Sequence, residues 1–274
     1  MPLTPAHAAA VVPLWRLLGS RAVLSALVIG SMTPDFAYFL PLGVRRAESH
    51  SLAGLAWFVL PVGLATYLVF HLLVKTPVAA LLPAAVRDRL TARRLAAPAL
   101  PAAAWPTVFL SLLLGALTHL IWDSFTHAGA AGVRAFPILA TRLGTVSGYE
   151  VFVFKLLQHG STVAGLCLLG FWLARWLRSI SPPAMPPAPL LRGRARAALV
   201  VVIIGALLAG AAHGAMAGRW PNVPVVGASH SLWGTIIGGI QGLCGGLVGL
   251  GVAWRLVALR ARGGAPADAG ERPR

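Results

Sequence analysis

The chain is short of charge, above all of negative charge. Seven acidic residues stand against 23 lysines and arginines in 274 residues, and charged side chains make up 11% of the total. A soluble domain carries about 25% charged residues, so this composition excludes an ordinary cytosolic enzyme. Cysteine is equally scarce. Cys167 and Cys244 both sit inside apolar runs without a C-x-x-C spacing, so they read as packing residues and say nothing about redox compartment. Charge is also missing from Met1 to Trp15, and Arg16 and Arg21 follow that run instead of preceding it. A secretory signal has the opposite order, so the segment is expected to be retained.

What the chain does contain is apolar: 57% of it comes from the AVILMFWYC set, and the mean hydropathy is +0.77. The strong apolar windows are Ala22–Leu40, Ser51–Val74, Trp105–Phe125, Val151–Leu177, Ala197–Ala217 and Ser231–Trp254. Each is long enough to cross a hydrocarbon core of about 30 Å as a helix. Thirty glycines suit close helix packing and not a barrel. The expected fold is all-α, a polytopic transmembrane helix bundle of six long spans plus a short N-terminal helix. That short helix is read from Thr4-Pro5, an N-cap followed by proline at the first helical position, and from the apolar run that ends at Gly19.

The net charge of +16 does not point to nucleic acid, because the arginines fall between apolar runs and not on one face of a soluble fold. They are unevenly shared among the connections. Lys75, Arg87, Arg89, Arg93 and Arg94 lie in one, Arg178, Arg192, Arg194 and Arg196 in another, and five more arginines follow the last window. The alternate connections hold only Arg45 and Arg46, then Arg134 and Arg142, then Arg219. The positive-inside rule puts the richer set, and the C-terminus, in the cytoplasm. The expected organisation is a membrane domain over 1–180, a Pro/Arg-rich linker over 181–196, two further transmembrane helices over 197–258 and a disordered basic tail over 259–274.

In so apolar a chain each ionisable residue costs free energy, so its position is informative. Asp35 stands near the outer end of the first window, His50 at the start of the second, and His119, Asp123 and His127 near the outer end of the third. His159 lies early in the fourth window, after Glu150. A spacing of four puts His119 and Asp123 on one helical face, the way a helix offers an imidazole and a carboxylate to one metal ion. With His7, Asp35, His50 and His127 they make a mixed His/Asp set suited to zinc, or less specifically to iron or manganese. Glu150 and His159 are possible additional ligands or proton carriers. Each feature also has a packing reading. His119 with Asp123 can be a hydrogen-bonded pair that fixes helices, Pro34-Asp35 a helix break, and His50 an interfacial residue between cap-forming Ser49 and Ser51. His230 repeats the Ser-His-Ser-Leu setting of His50, which marks either an old duplication or two helix starts.

At these residues the sequence resembles a known family. Met-Pro-Leu-Thr-Pro-Ala-His at the start, Gly-Ser-Met-Thr-Pro-Asp-Phe around Asp35, Ser-His-Ser-Leu at His50 and Thr-His-Leu-Ile-Trp-Asp-Ser-Phe-Thr-His around His119 look like domain-of-unknown-function family 4184, a group of bacterial multi-pass membrane proteins. The resemblance runs from Met1 to about Trp176. More distantly, the order His, Asp, His, His-x-x-x-Asp is similar to zinc-dependent phospholipase C and to bacterial inner-membrane metal-dependent hydrolases. That resemblance implies a divalent metal, zinc first, as one or two ions. It implies ligand positions for His7, Asp35, His50, His119 and Asp123, with His127 extending the set and Asp35 and Asp123 as catalytic candidates. No His-x-x-x-Glu follows, so a full trinuclear site is not implied.

The expected function is a metal-dependent hydrolase of the bacterial cytoplasmic membrane, acting at the outer leaflet on a phosphoester or lipid headgroup, with membrane lipids as its partners and no nucleic acid. A metal-ion or proton-coupled transporter and a non-enzymatic structural membrane protein are the alternatives. The scarcity of polar residues on the cytoplasmic side, where His71 is the one available, favours a one-sided site over a pathway.

Overall fold

The computed structural model describes residues 3–90, 101–146, 148–181, 191, 193–217 and 228–263, with the side chains of 228–230 and 261–263 excepted. Five helices among them are long and apolar enough to cross a membrane: Leu52–Leu81, Ala102–Thr126, Val153–Arg178, Gly193–Met216 and Ser231–Arg260. The architecture is all-α, as composition and periodicity predict, and the protein is a membrane protein.

The first apolar window is not one long helix. Helix α2 (Leu24–Met32) gives way to a 3-10 turn at Thr33–Asp35 and a short helix at Phe36–Phe39. Pro34 has no N–H to continue the ladder, and the Thr33 hydroxyl donates to the Ile29 carbonyl at 2.7 Å. The break leaves Asp35 buried at the end of a helix instead of within one.

Upstream, a 3-10 turn at Thr4–His7 leads into helix α1 (Ala8–Leu18). Thr4 does not cap it, since the N-cap position of the turn is Leu3 and no side chain caps there. The helix ends as the sequence predicts, at Gly19, whose φ of +56° favours glycine. A β-hairpin that hydropathy does not reveal precedes the Val153–Ser179 helix. Its strands β1 (Arg142–Val146) and β2 (Tyr149–Phe152) pair antiparallel, so that helix begins at Val153 and not at Val151.

The described residues fall into two compact units, one built from 3–67 and 101–181, the other from 68–90, 193–217 and 228–263. This differs from a division at residue 180. The cause lies in the second unit, where the Leu52–Leu81 helix opens into a π-turn at Phe70–Val74. There Arg255 Nε donates to the Leu72 carbonyl at 2.7 Å, and Arg196 Nε donates to the Leu81 carbonyl at 3.1 Å. Helix Gly193–Met216 includes the last residues of the expected linker, and helix Ala228–Gly263 takes in 259–263 of the expected tail. The rest of both segments, 182–190, 192 and 264–274, lies outside the described residues.

In the first unit, α2 lies against the Trp105–Thr126 helix with backbone touching backbone. A Cβ on Gly30 would run into the Leu112 carbonyl, and one on Gly115 into the Leu27 carbonyl and the Ser31 amide. Around this crossing, Ala26, Ile29, Tyr67, Val108 and Leu112 form one apolar cluster and Ala37, Phe58, Val59 and Ala116 another. Overpacking such a contact costs about 1–3 kcal/mol. Gly115→Ala is therefore expected to lower the unfolding temperature in mild detergent, read by tryptophan fluorescence. Gly170→Ala, where nothing stands within 4 Å of the new methyl, is expected to leave it unchanged.

Candidate metal centre

The close crossing at Gly115 places the Ser31 carbonyl beside His119, one turn further along the Trp105–Thr126 helix. His119 Nδ1 lies 2.7 Å from that carbonyl oxygen. A carbonyl can only accept, so Nδ1 carries a hydrogen, and in the neutral ring Nε2 then has the lone pair. His50 is oriented in the same way. Its Nδ1 stands 3.1 Å from the Arg46 carbonyl and 2.9 Å from the Ser49 hydroxyl, which itself donates to the same carbonyl. The two Nε2 atoms face each other at 3.2 Å.

Two carboxylates close the figure. Asp35 Oδ1 lies 3.3 Å from His50 Nε2 and 3.6 Å from His119 Nε2. Asp123 Oδ2 lies 3.6 Å and 3.5 Å from the same two atoms. Asp35, His50, His119 and Asp123 each offer one ligand atom, all within 4.8 Å of one another. Five of the six separations among these atoms are 3.2–3.6 Å, the spacing of neighbouring ligand atoms around one zinc ion with bonds of about 2.0–2.2 Å. With both rings neutral all four atoms are acceptors, and the cluster then suits a positive centre, either a proton or a metal ion.

Neighbouring groups orient the ligands, as around known metal sites. The Thr4 hydroxyl donates to Asp35 Oδ2 at 2.7 Å, which turns Oδ1 toward the histidines. Arg46 Nη2 donates to Asp123 Oδ2 at 2.7 Å, and the Arg46 side chain also hydrogen-bonds Tyr38. Burial, with Arg46 adding to it, holds the His50 imidazole below its ordinary range, so it is neutral near pH 7, the ligating form.

The sequence-predicted residues separate into three groups. Asp35, His50, His119 and Asp123 converge. His7 and His127 adjoin them. The His7 ring stacks on His119 with centroids 3.8 Å apart, and its Nε2 faces Asp123 Oδ1 at 3.6 Å. Both of those atoms are buried without a hydrogen-bond partner. His127, just past the helix end, has Nδ1 3.1 Å from the Asp123 carbonyl and Nε2 3.4 Å from the Gln158 amide nitrogen. The same Nδ1 also lies 3.5 Å from Asp123 Oδ2, so His127 borders the centre from outside the four, and burial holds its pKa down to about 4. Glu150 and His159 stand apart. Glu150 is exposed on β2 and pairs with Arg142 at 3.0 Å, and His159 is exposed. The His230 side chain lies outside the described ones. Sequence reasoning missed Thr4, Ser31, Arg46 and Gln158; the pairing of Arg45-Arg46 with His50 only four residues away was the one available signal.

The chain belongs to the family described as Domain of unknown function (DUF4184), which it matches over residues 1–252. The match therefore extends beyond Trp176 and includes the rear helices. No curated protein and no solved structure matches the chain.

Removing a hydrogen bond to a buried charged oxygen costs about 1.5–3 kcal/mol. Thr4→Val is expected to lower the unfolding temperature in detergent, while Thr4→Ser, which keeps the hydroxyl, stays near the parent.

Proposed function

We propose that the protein is a metal-dependent hydrolase of the bacterial cytoplasmic membrane, acting on a phosphoester in the lipid headgroup zone. One observation carries this reading. Two imidazole nitrogens, each with its hydrogen committed on the other side of the ring, face each other and two carboxylate oxygens at 3.2–3.6 Å. Asp35, His50, His119 and Asp123 would hold the ion, and their nitrogen and oxygen donors suit zinc. When bound, such an ion lowers the pKa of a coordinated water and offsets negative charge on phosphoryl oxygens.

The chain's own groups have distinct parts in this reading. The Arg46 and Ser31 carbonyls accept from Nδ1 of His50 and His119 and so turn the Nε2 of each ring toward the ion. Thr4 keeps one Asp35 oxygen aimed inward. Asp123 Oδ1, buried 3.6 Å from His7 Nε2 and without a hydrogen-bond partner, has a lone pair that can orient a water by accepting a hydrogen bond from it. The site's placement at the ends of apolar helices supports a substrate that lies in the membrane rim. The arginine-rich alternate connections of the sequence support an outer-leaflet site with the C-terminus in the cytoplasm.

The protein purified in mild detergent without added metal is expected to hold about one or two zinc, iron or manganese ions per chain by mass spectrometry. A His119→Ala/Asp123→Ala variant is expected to express yet hold none, and to lose phospholipid hydrolysis. Metal content equal in parent and variant, or absent from both after incubation with each ion, would overturn the reading.

A further inference from the structure

We propose that Arg46 is the anion-binding residue of this site and that the anion it receives is a singly charged phosphodiester; this rests on the metal-centre reading above. Exposure singles it out. The side chains of His119, Asp35, His50 and Asp123 are 0%, 2%, 7% and 7% exposed, whereas that of Arg46 is 33% exposed. Arg46 is therefore the member of the set most open to an incoming group.

Its position is held from two sides. The backbone carbonyl receives His50 Nδ1, and the guanidinium meets Asp123 Oδ2 at 2.7 Å and Tyr38. A guanidinium has five N–H donors in a rigid fork, so these contacts leave donors for a ligand. Planar, bidentate recognition of phosphate oxygens is what that fork does best.

Formal charge selects the ligand. Asp35 and Asp123 contribute two negative charges and Arg46 one positive. One divalent cation, the number that the four inward-facing atoms can hold, brings the sum to one positive charge, in a site whose ligands are almost fully buried. A phosphodiester, with one negative charge, closes the balance. A neutral ester or amide leaves a buried positive charge, and a dianionic monoester overshoots; both are costly away from water.

The test uses the full chain in detergent, loaded with zinc, with metal content measured for every sample and dimethyl phosphate titrated by calorimetry. Arg46→Gln is expected to keep its zinc and to bind dimethyl phosphate at least about tenfold more weakly, the loss of a charge-assisted hydrogen bond. Arg46→Lys, which keeps the charge without the fork, is expected to fall between. Methyl phosphate, as the dianion, is expected to bind more weakly to the parent than the diester. Unchanged diester affinity in zinc-loaded Arg46→Gln overturns the assignment, and tighter binding of methyl phosphate overturns the diester. Loss of zinc from Arg46→Gln also overturns it, because Arg46 then serves only to position Asp123. A parent that takes up no zinc fails at the earlier step and overturns the metal centre itself. Phosphatidylglycerol in mixed micelles, titrated in parallel, separates the sources: binding of the lipid alone marks a headgroup in the bilayer, and binding of both marks a site open to soluble diesters.

Discussion

Two imidazole nitrogens that face each other across 3.2 Å inside an apolar bundle are the constraint on which the first unit turns. Neither ring can rotate away without giving up the carbonyl that holds its other nitrogen, Ser31 for His119 and Arg46 for His50. The carboxylates of Asp35 and Asp123 add negative charge to the same point. The surrounding structure keeps these acceptors together: Thr4 on one carboxylate, Arg46 on the other, and the His7 ring stacked against His119.

That constraint is met by backbone packing as much as by side chains. His119 reaches the Ser31 carbonyl because Gly115, a turn earlier, lets α2 approach without a Cβ between them. Gly30 does the same opposite Leu112. Pro34 then stops α2 just where Asp35 must leave the helical path. The glycines that read in the sequence as general permission for close packing thus have a local task, which is to set the distance between one carbonyl and one imidazole.

Legibility in the sequence follows the range of the interaction. Local signals survive: the four-residue spacing of His119 and Asp123, the helix end at Gly19, the break at Pro34 and the five long apolar helices can all be read from neighbours along the chain. Contacts across the chain cannot. Thr4 looks like a helix cap, yet its hydroxyl goes to a carboxylate 31 residues away. Arg46 counts as a loop charge in the orientation arithmetic, yet it pairs with a residue 77 positions later. Ser31 acts through its backbone, to which side-chain identity gives no clue. The β1–β2 hairpin lies in a short connection whose composition has no strong period, and the π-turn at Phe70–Val74 leaves the hydropathy of its helix untouched.

The same separations determine when in the life of the chain this site comes into being. Thr4 and His7 are made first, but their partners arrive later: Asp35 after 31 residues for Thr4, and Asp123 for His7 only with the third long apolar segment. Leu3 N–H finds its acceptor, the Thr162 hydroxyl, after 159 residues. Two of the four inward-facing groups, Asp35 and His50, therefore wait in the growing polypeptide for the other two, and closing such long loops is the slow part of assembly. Residues made before all of their partners are thus among the last to be locked in place, and the histidine–aspartate cage is a record that the segments through Asp123 have been inserted.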